Sequence, residues 1–365
     1  MTCKYCGAQK QYFFYGGVCR RCLMHQRLEE DRSYYVNDTL TARMPFDLSP
    51  QQKDISEQII EIVQHESVLV DAVCGAGKTE ICIPLVTWCL RHGVRIGWTI
   101  PRREVVLELG RRLQDYYPDV EIVIVCGGSL ENLQGDLVVC TTHQLHRYYD
   151  YFDILIVDEP DAFPYKNNDY LEQILTRSVR GNCVYLSATE SMPKIRTLKL
   201  PIRPTGRQLP VPQVKCTGLL FLRLLEIIYS WRNEMILIFV PTRYVAKRLA
   251  KVLHAPYITS HTEDKKEKLD SFRKDKKYLI TTTVLERGVT FVDCFVVVYQ
   301  ANHRVFTDAS LIQIAGRVDR GKSTKGECVF LCTMKNQSII RCVNKINQAN
   351  TDAESVLRND IKTCR

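Results

Sequence analysis

The chain has 365 residues, long enough for two domains plus something small, and its net charge of +9 favours a polyanionic partner. No apolar run approaches the ~18–20 residues that cross a bilayer, and Met1-Thr2-Cys3-Lys4-Tyr5-Cys6 does not open a signal peptide, which argues against membrane-spanning and secreted classes. Twelve of the 16 cysteines are scattered through apolar segments, where free Cys is an ordinary core residue, so a reducing, cytoplasmic setting is expected.

Residues 1–28 read as a four-cysteine module. Cys3 and Cys6 form one C-x-x-C pair and Cys19 and Cys22 another, with twelve residues between the pairs. Two such knuckles close a tetrahedral Zn²⁺ site, and so short a segment would fold around the metal. Tyr12, Phe13, Phe14 and Tyr15 are interleaved with Lys10, Arg20 and Arg21. They either stack on single-stranded nucleic acid or pack on the knuckles. Residues 29–47 are polar and aperiodic, a connector.

Ser49-Pro50-Gln51-Gln52 opens a helix, with Ser49 as N-cap and Gln52 closing a capping box. Val68-Leu69-Val70 is a β-prone apolar run that leads into Cys74-Gly75-Ala76-Gly77-Lys78-Thr79-Glu80 and then a helical pattern, the strand–loop–helix context of a phosphate-binding loop. Gly75 and Gly77 let backbone N–H groups curl around phosphate, Lys78 reaches the β- and γ-phosphates, and Thr79 binds Mg²⁺. Position 72 is Ala where the strict motif has Gly.

Strand-like runs then alternate with helical patterns up to about residue 190, which predicts a mostly parallel sheet covered by helices on both faces. Ile154–Val157 ends in Asp158-Glu159-Pro160-Asp161, placing Asp158 to hold Mg²⁺ and Glu159 to orient or deprotonate the attacking water. Other strand ends carry Arg102 and Arg103, Gly128, and Thr141 and Thr142, a set suited to tracking a phosphate chain without reading bases. Ser187 and Thr189 would couple hydrolysis to that groove.

Residues 199–216 are proline-rich and read as a stiff hinge, separating a first domain (48–198) from a second (217–365) in which the alternation repeats, with helices expected at 243–253, 263–274, 308–314 and 336–348. Thr282 and Arg287 follow a strand there and offer phosphate and interdomain contacts. Arg317 and Arg320, three apart, are placed to answer the charge that develops at a γ-phosphate.

In this order the residues resemble the motifs of superfamily 2 helicases and translocases. Gly75–Thr79, Asp158–Asp161, Ser187–Thr189 and Gln313–Arg320 resemble motifs I, II, III and VI; Pro101–Glu104, Thr141–Gln144, Pro241–Arg243 and Thr282–Gly288 look like Ia, Ib, IV and V. The four cysteines, Leu209–Pro212, Asp158–Tyr165 and Thr282–Phe291 are similar to the ComFA family of late competence proteins.

The resemblance implies two RecA-like α/β domains in tandem behind a small zinc module. It gives Gln52 the place of a helicase's adenine-reading glutamine, unless capping is its whole purpose, and adds Ala76, Glu80 and Gly288 to the nucleotide contacts, Gln313 to the catalytic set, and Thr242 and Arg243 to the nucleic-acid contacts. It further implies a single-stranded-DNA-stimulated ATPase that helps draw transforming DNA inward, working at the inner face of the cytoplasmic membrane. A ComFC-type phosphoribosyltransferase-like protein, the membrane DNA channel and a DNA-processing protein would be partners, with homo-oligomerisation open. A general replication-restart or repair helicase and a non-enzymatic ATP-gated DNA clamp are the alternatives; an RNA helicase fits poorly, because Pro160 stands where the DEAD pattern has Ala.

Overall fold

The computed structural model describes residues 2–3, 6–10, 14–21, 37–128, 132–161, 165, 168–188, 192, 194–275, 278–286, 291, 294–318 and 326–363, the side chains of 266, 275 and 359–363 excepted. The chain divides into two units, Met1–Ala72 with Gly77–Leu200 and Val73–Ala76 with Pro201–Arg365.

The first unit begins with a small antiparallel hairpin, β1 (Phe14–Tyr15) and β2 (Val18–Cys19). Helix α1 (Pro50–Val63) starts at the capping box that its sequence spells: Gln52 N–H donates to Ser49 Oγ, and Ser49 N–H donates to Gln52 Oε1 at 2.9 Å. There follow β3 (Val68–Ala72), α2 (Lys78–Ile81), α3 (Ile83–Arg91), β4 (Ile96–Ile100), α4 (Arg103–Tyr116), β5 (Ile122–Val125) and β6 (Leu137–Thr141). The unit closes with β7 (Phe152–Asp158), α5 (Asp169–Ser178), β8 (Val179–Ser187) and β9 (Arg196–Leu200).

The seven larger strands lie in the order β5-β6-β4-β7-β8-β3-β9, every neighbouring pair parallel. Parallel strands with helices on their faces have no solvated side, which is why β3, β4, β6 and β7 read as continuous apolar runs. Val68, Leu69 and Val70 are fully buried.

The second unit contains β10 (Gln213–Cys216), α6 (Leu220–Ser230), β11 (Met235–Phe239), α7 (Arg243–Leu253), β12 (Tyr257–Ile258) and α8 (Lys265–Asp275). It continues with β13 (Tyr278–Thr281), β14 (Cys294–Tyr299), α9 (Asp308–Ala315), β15 (Cys328–Cys332) and α10 (Gln337–Thr363). Its sheet, also wholly parallel among the described strands, has the order β10-β15-β14-β11-β13-β12.

Three features differ from the sequence reading. The 199–216 stretch is strand at both ends: Lys199 and Leu200 belong to β9 and Gln213–Cys216 to β10, each an edge strand of its own sheet. Prolines are confined to the segment between them, as edge strands allow. Helix α10 runs far beyond the expected end near residue 348. Asn350, a helix-neutral residue, is buried there and grips Leu209 twice, its Oδ1 accepting from Leu209 N–H at 2.7 Å and its Nδ2 donating to Leu209 O at 2.9 Å. Finally, α6 was not expected from the sequence. No helix among the described residues is long and apolar enough to cross a membrane.

Candidate active site

The phosphate loop follows β3 directly. Gly75 (φ 83°) and Gly77 (φ 81°) both take the left-handed backbone that any Cβ disfavours. Gly77 caps α2, and Ile81 N–H donates to its carbonyl at 3.1 Å. Lys78 Nζ donates back to Ala72 O at 3.1 Å, so its ammonium is held over the mouth of the loop it springs from. Glu80, expected among the nucleotide contacts, carries a different bond: its Oε1 accepts from Arg112 Nη1 on α4 at 3.2 Å. The sequence reading missed Arg112, since nothing in the spacing ties α4 to the loop. Gln52 is buried, its carbonyl oxygen engaged in the capping box and its Nε2 against Gly77.

Strand β7 delivers Asp158 to the same carboxyl-terminal end of the sheet. The strands of the loop and of Asp158 are not neighbours; β8 lies between them, with Ser187 opposite Asp71 and Leu186 opposite Asp158. Glu159 then leaves the strand with φ 55°, a conformation rare for a non-glycine residue, while its N–H donates to Leu186 O at 3.0 Å. Ser187 donates from Oγ to Asp161 Oδ1 at 3.4 Å, joining motif III to motif II.

One thiol reports the local field. Burial pushes Cys82, between α2 and α3, well above its ordinary pKa, and the carboxylates of Asp158 and Glu80 push it further. The loop and the acidic turn therefore share one electrostatic neighbourhood. The hydroxyl of Thr79 and the carboxylate of Asp158 are hard oxygen donors of the kind Mg²⁺ takes.

The amino-terminal cysteines also come together. Cys3, Cys6 and Cys19 are buried, with their sulfurs all within 4.8 Å of one another. Cys6 Sγ and Cys19 Sγ are 3.7 Å apart, too far for a disulfide and close to the ~3.8 Å between sulfurs that tetrahedral Zn–S bonds of about 2.3 Å impose. Gly7 makes the knuckle turn at φ 67°. Cys22 lies outside the described residues. The hairpin packs into the same apolar cluster as Leu171 and Ile174 of α5, with Phe14 turned inward, while Tyr15 is exposed. Tyr12 and Phe13 lie outside the described residues.

Among the expected nucleic-acid contacts, Arg103 and Gly128 are brought together: Arg103 Nε donates to Gly127 O at 2.7 Å. Arg102 is half-buried. Thr141 and Thr142 do not follow the expectation: both residues are buried whole, backbone included, and Thr142 Oγ1 accepts from Thr99 at 3.4 Å, so neither presents a surface to a strand.

In the second unit Thr242 caps α7, its Oγ1 accepting from Val245 N–H at 3.2 Å, and Arg243 is exposed beside it. Thr282 is buried. Gln313 on α9 is buried, as is Arg317 just beyond it, whose Nε donates to Glu286 O at 3.1 Å. Glu286 also accepts from Ser310 Oγ at 2.5 Å. The sequence reading missed Arg203, a buried arginine in the proline-rich segment that donates to Gly316 O and Val318 O, each at 3.3 Å. Thr189, Arg287, Gly288 and Arg320 lie outside the described residues.

Residues 49–198 match the DEAD/DEAH box helicase family, and residues 220–322 match the helicase conserved C-terminal domain. Competence protein ComFA of Streptococcus pneumoniae (strain ATCC BAA-255 / R6) is 35% identical over 376 residues, covering 92% of this chain and 86% of the relative. The chain belongs to the ComFA family. A second ComFA, of Bacillus subtilis (strain 168), is 32% identical and covers 97% of this chain and 86% of its own.

A more distant relative is the ATP-dependent DNA helicase RecG of Helicobacter pylori (strain ATCC 700392 / 26695), 25% identical over 81% of this chain and 52% of its own. Among solved structures, S. cerevisiae Dbp5 bound to RNA and ADP BeF3 has a TM-score of 0.60 at 18% identity, covering 84% of this chain and 92% of that one. Mss116p bound to ssRNA and AMP-PNP has 0.63 at 19%, covering 80% and 70%. These likenesses show the two RecA-like folds. As a member of this family with both helicase domains, the chain is an ATP-hydrolysing superfamily 2 enzyme that uses Mg²⁺.

Proposed function

We propose that this chain is an ATP-driven motor on single-stranded DNA that helps bring transforming DNA into the cytoplasm. The observation that carries the reading is the bond to Asp161, in the acidic turn after β7, from Ser187, at the end of the strand that lies between those of the phosphate loop and of Asp158. A residue so placed is able to pass a change at the γ-phosphate to loops that grip a strand.

In this reading Lys78 and the backbone of Gly75, Ala76 and Gly77 hold the phosphates. Thr79 and Asp158 hold Mg²⁺, and Glu159 activates the attacking water. Gln313, Arg317 and Arg320 belong to the catalytic set, the arginines answering charge on the transferred phosphoryl group. Ser187, Thr189 and Arg287 couple hydrolysis to DNA, and Arg102, Arg103, Gly128, Thr242 and Arg243 line its path, with the buried Thr141, Thr142 and Thr282 supporting the strand ends behind them. Gln52 supports the loop and reaches the base. Cys3, Cys6, Cys19 and Cys22 would hold Zn²⁺, which supplies the crosslink that a hairpin of this size lacks.

A ComFC-type protein, the DNA channel and a DNA-processing protein are the partners we propose, at the inner face of the cytoplasmic membrane. The likeness to a relative named as an ATP-dependent DNA helicase favours a second reading, a general replication-restart or repair helicase.

The test is ATP hydrolysis without nucleic acid and with single-stranded DNA, duplex DNA or single-stranded RNA, followed by deletion of the gene. Stimulation by single-stranded DNA with loss of transformation and normal ultraviolet survival supports the uptake motor. Ultraviolet sensitivity with normal transformation supports the repair helicase, and stimulation chiefly by RNA defeats both.

A further inference from the structure

Helix α7 (Arg243–Leu253) reads Arg-Tyr-Val-Ala-Lys-Arg-Leu-Ala-Lys-Val-Leu and contains no acidic residue. Its inner face, Ala246, Leu249 and Ala250, is buried in the apolar cluster of its unit. Arg243, Lys247 and Lys251 occupy one row of the outer face at i, i+4 and i+8, and all three are exposed. Tyr244 and Arg248 form the adjacent row. Tyr244 is 68% exposed, and Arg248 lies over its ring at 5.5 Å with Nη1 donating to the phenol oxygen at 3.3 Å.

A solvated surface helix often neutralises its own charges, and other helices of the same unit do so. Arg223 pairs with Glu226 on α6, Lys268 with Asp264 at the start of α8, Arg273 with Asp270 on α8, and Arg358 with Glu354 on α10. Among the described residues Arg243, Lys247 and Lys251 make no ion pair. Like charges four apart destabilise a helix by about 0.2–0.5 kcal/mol per pair, so α7 keeps two such steps at a cost that a polyanionic ligand would reverse. The cations advance about 6 Å per step along the helix, the scale of neighbouring phosphates in an extended strand.

We infer that the outer face of α7 is a second track for single-stranded DNA. It leads away from the strand-end position of Thr242, and the backbone phosphates bind Arg243, Lys247 and Lys251 while a base stacks on Tyr244. The inference rests on the proposed single-stranded DNA substrate. An anionic membrane is the weaker occupant, because the apolar face of α7 is already packed within its own unit and the exposed Tyr244 and Val252 do not make an apolar face that could enter the bilayer. An exposed aromatic ring among cations is instead the arrangement that binds unpaired bases.

The test compares wild type with Lys247→Gln/Lys251→Gln and the charge-keeping Lys247→Arg/Lys251→Arg. Affinity for oligothymidines of roughly 10 and roughly 40 nucleotides is measured across a salt series, with thermal unfolding as the fold control. The neutral variant should bind the long strand roughly tenfold more weakly. Its dependence of log K on log salt should be shallower by about 1.4, two charges at about 0.7 each. The short strand should be affected less, and the Arg variant should match wild type. An unchanged long-strand affinity and slope overturns the track. So does a variant that binds DNA normally but loses binding to phosphatidylglycerol vesicles. Wild type that binds no single-stranded DNA at any salt instead removes the parent reading, a result distinguishable from either.

Discussion

Gln52 and Gly77 are packed so closely that a Cβ on Gly77 would fall 2.4 Å from Gln52 Nε2. The glycine is thus required twice, by its left-handed backbone and by its neighbour. Gly77→Ala should abolish ATP turnover and cost about 1–2 kcal/mol of strain from the backbone alone, before any clash. In a Gln52→Ala background the clash disappears and the backbone strain stays, so part of the lost thermal midpoint should return. Gln52→Ala by itself should cost about 1 kcal/mol through the broken capping box. Strictly additive midpoints in the double variant would show that the contact does not matter.

Glu159 sits at φ 55° after β7, and its two replacements separate strain from chemistry. Glu159→Gln keeps the shape and removes the base, so turnover should fall by about 10²–10⁴ while ATP still binds. Glu159→Gly should lose as much turnover yet unfold at the same or a higher temperature, because glycine relieves a strained position worth about 1 kcal/mol. Single-turnover hydrolysis with calorimetric melting checks both. Retained hydrolysis in either variant would remove Glu159 from the base role.

Much of this was legible from residues alone, for identifiable reasons. Strands β3, β4, β6, β7, β11, β13, β14 and β15 are buried on both sides, so their apolar runs admit one reading. Edge strands β9 and β10 are short and carry exposed Arg196, Lys199 and Gln213, which look like loop in sequence. The phosphate loop and acidic turn are local signals. The bonds of Arg112 to Glu80 and of Arg203 to Gly316 and Val318 join residues far apart in the chain, and no spacing rule reaches them.

The Ser187–Asp161 bond predicts a coupling phenotype. Ser187→Ala removes the donor, while Ser187→Thr keeps a hydroxyl at the same place. The ratio of ATP turnover with and without single-stranded DNA should drop severalfold in the Ala variant and recover in the Thr variant. An equal ratio in all three would mean that the bond supports the fold and not the coupling.

Three groups among the described cysteines would separate on alkylation of the native protein. Cys216 is exposed and should react first. Cys82, Cys89, Cys140, Cys183 and Cys328 are buried. Burial holds their thiols in the protonated form, pushing Cys140 up to about 12 and Cys183 to about 11, so they should stay unlabelled until the chain unfolds. Cys3, Cys6 and Cys19 should behave differently, resisting label in the zinc-loaded protein and accepting it after chelation. The segment of Cys3 and Cys6 packs on α5 at Gly7, where an added Cβ would meet the Gln173 side chain at 2.2 Å. Loss of metal should therefore also lower the thermal midpoint of the first domain. The measurement is mass-spectrometric thiol labelling and calorimetry before and after a chelator, with Cys3→Ala/Cys6→Ala as the permanent apo form. Labelling of all three thiols at full zinc occupancy would place the metal elsewhere.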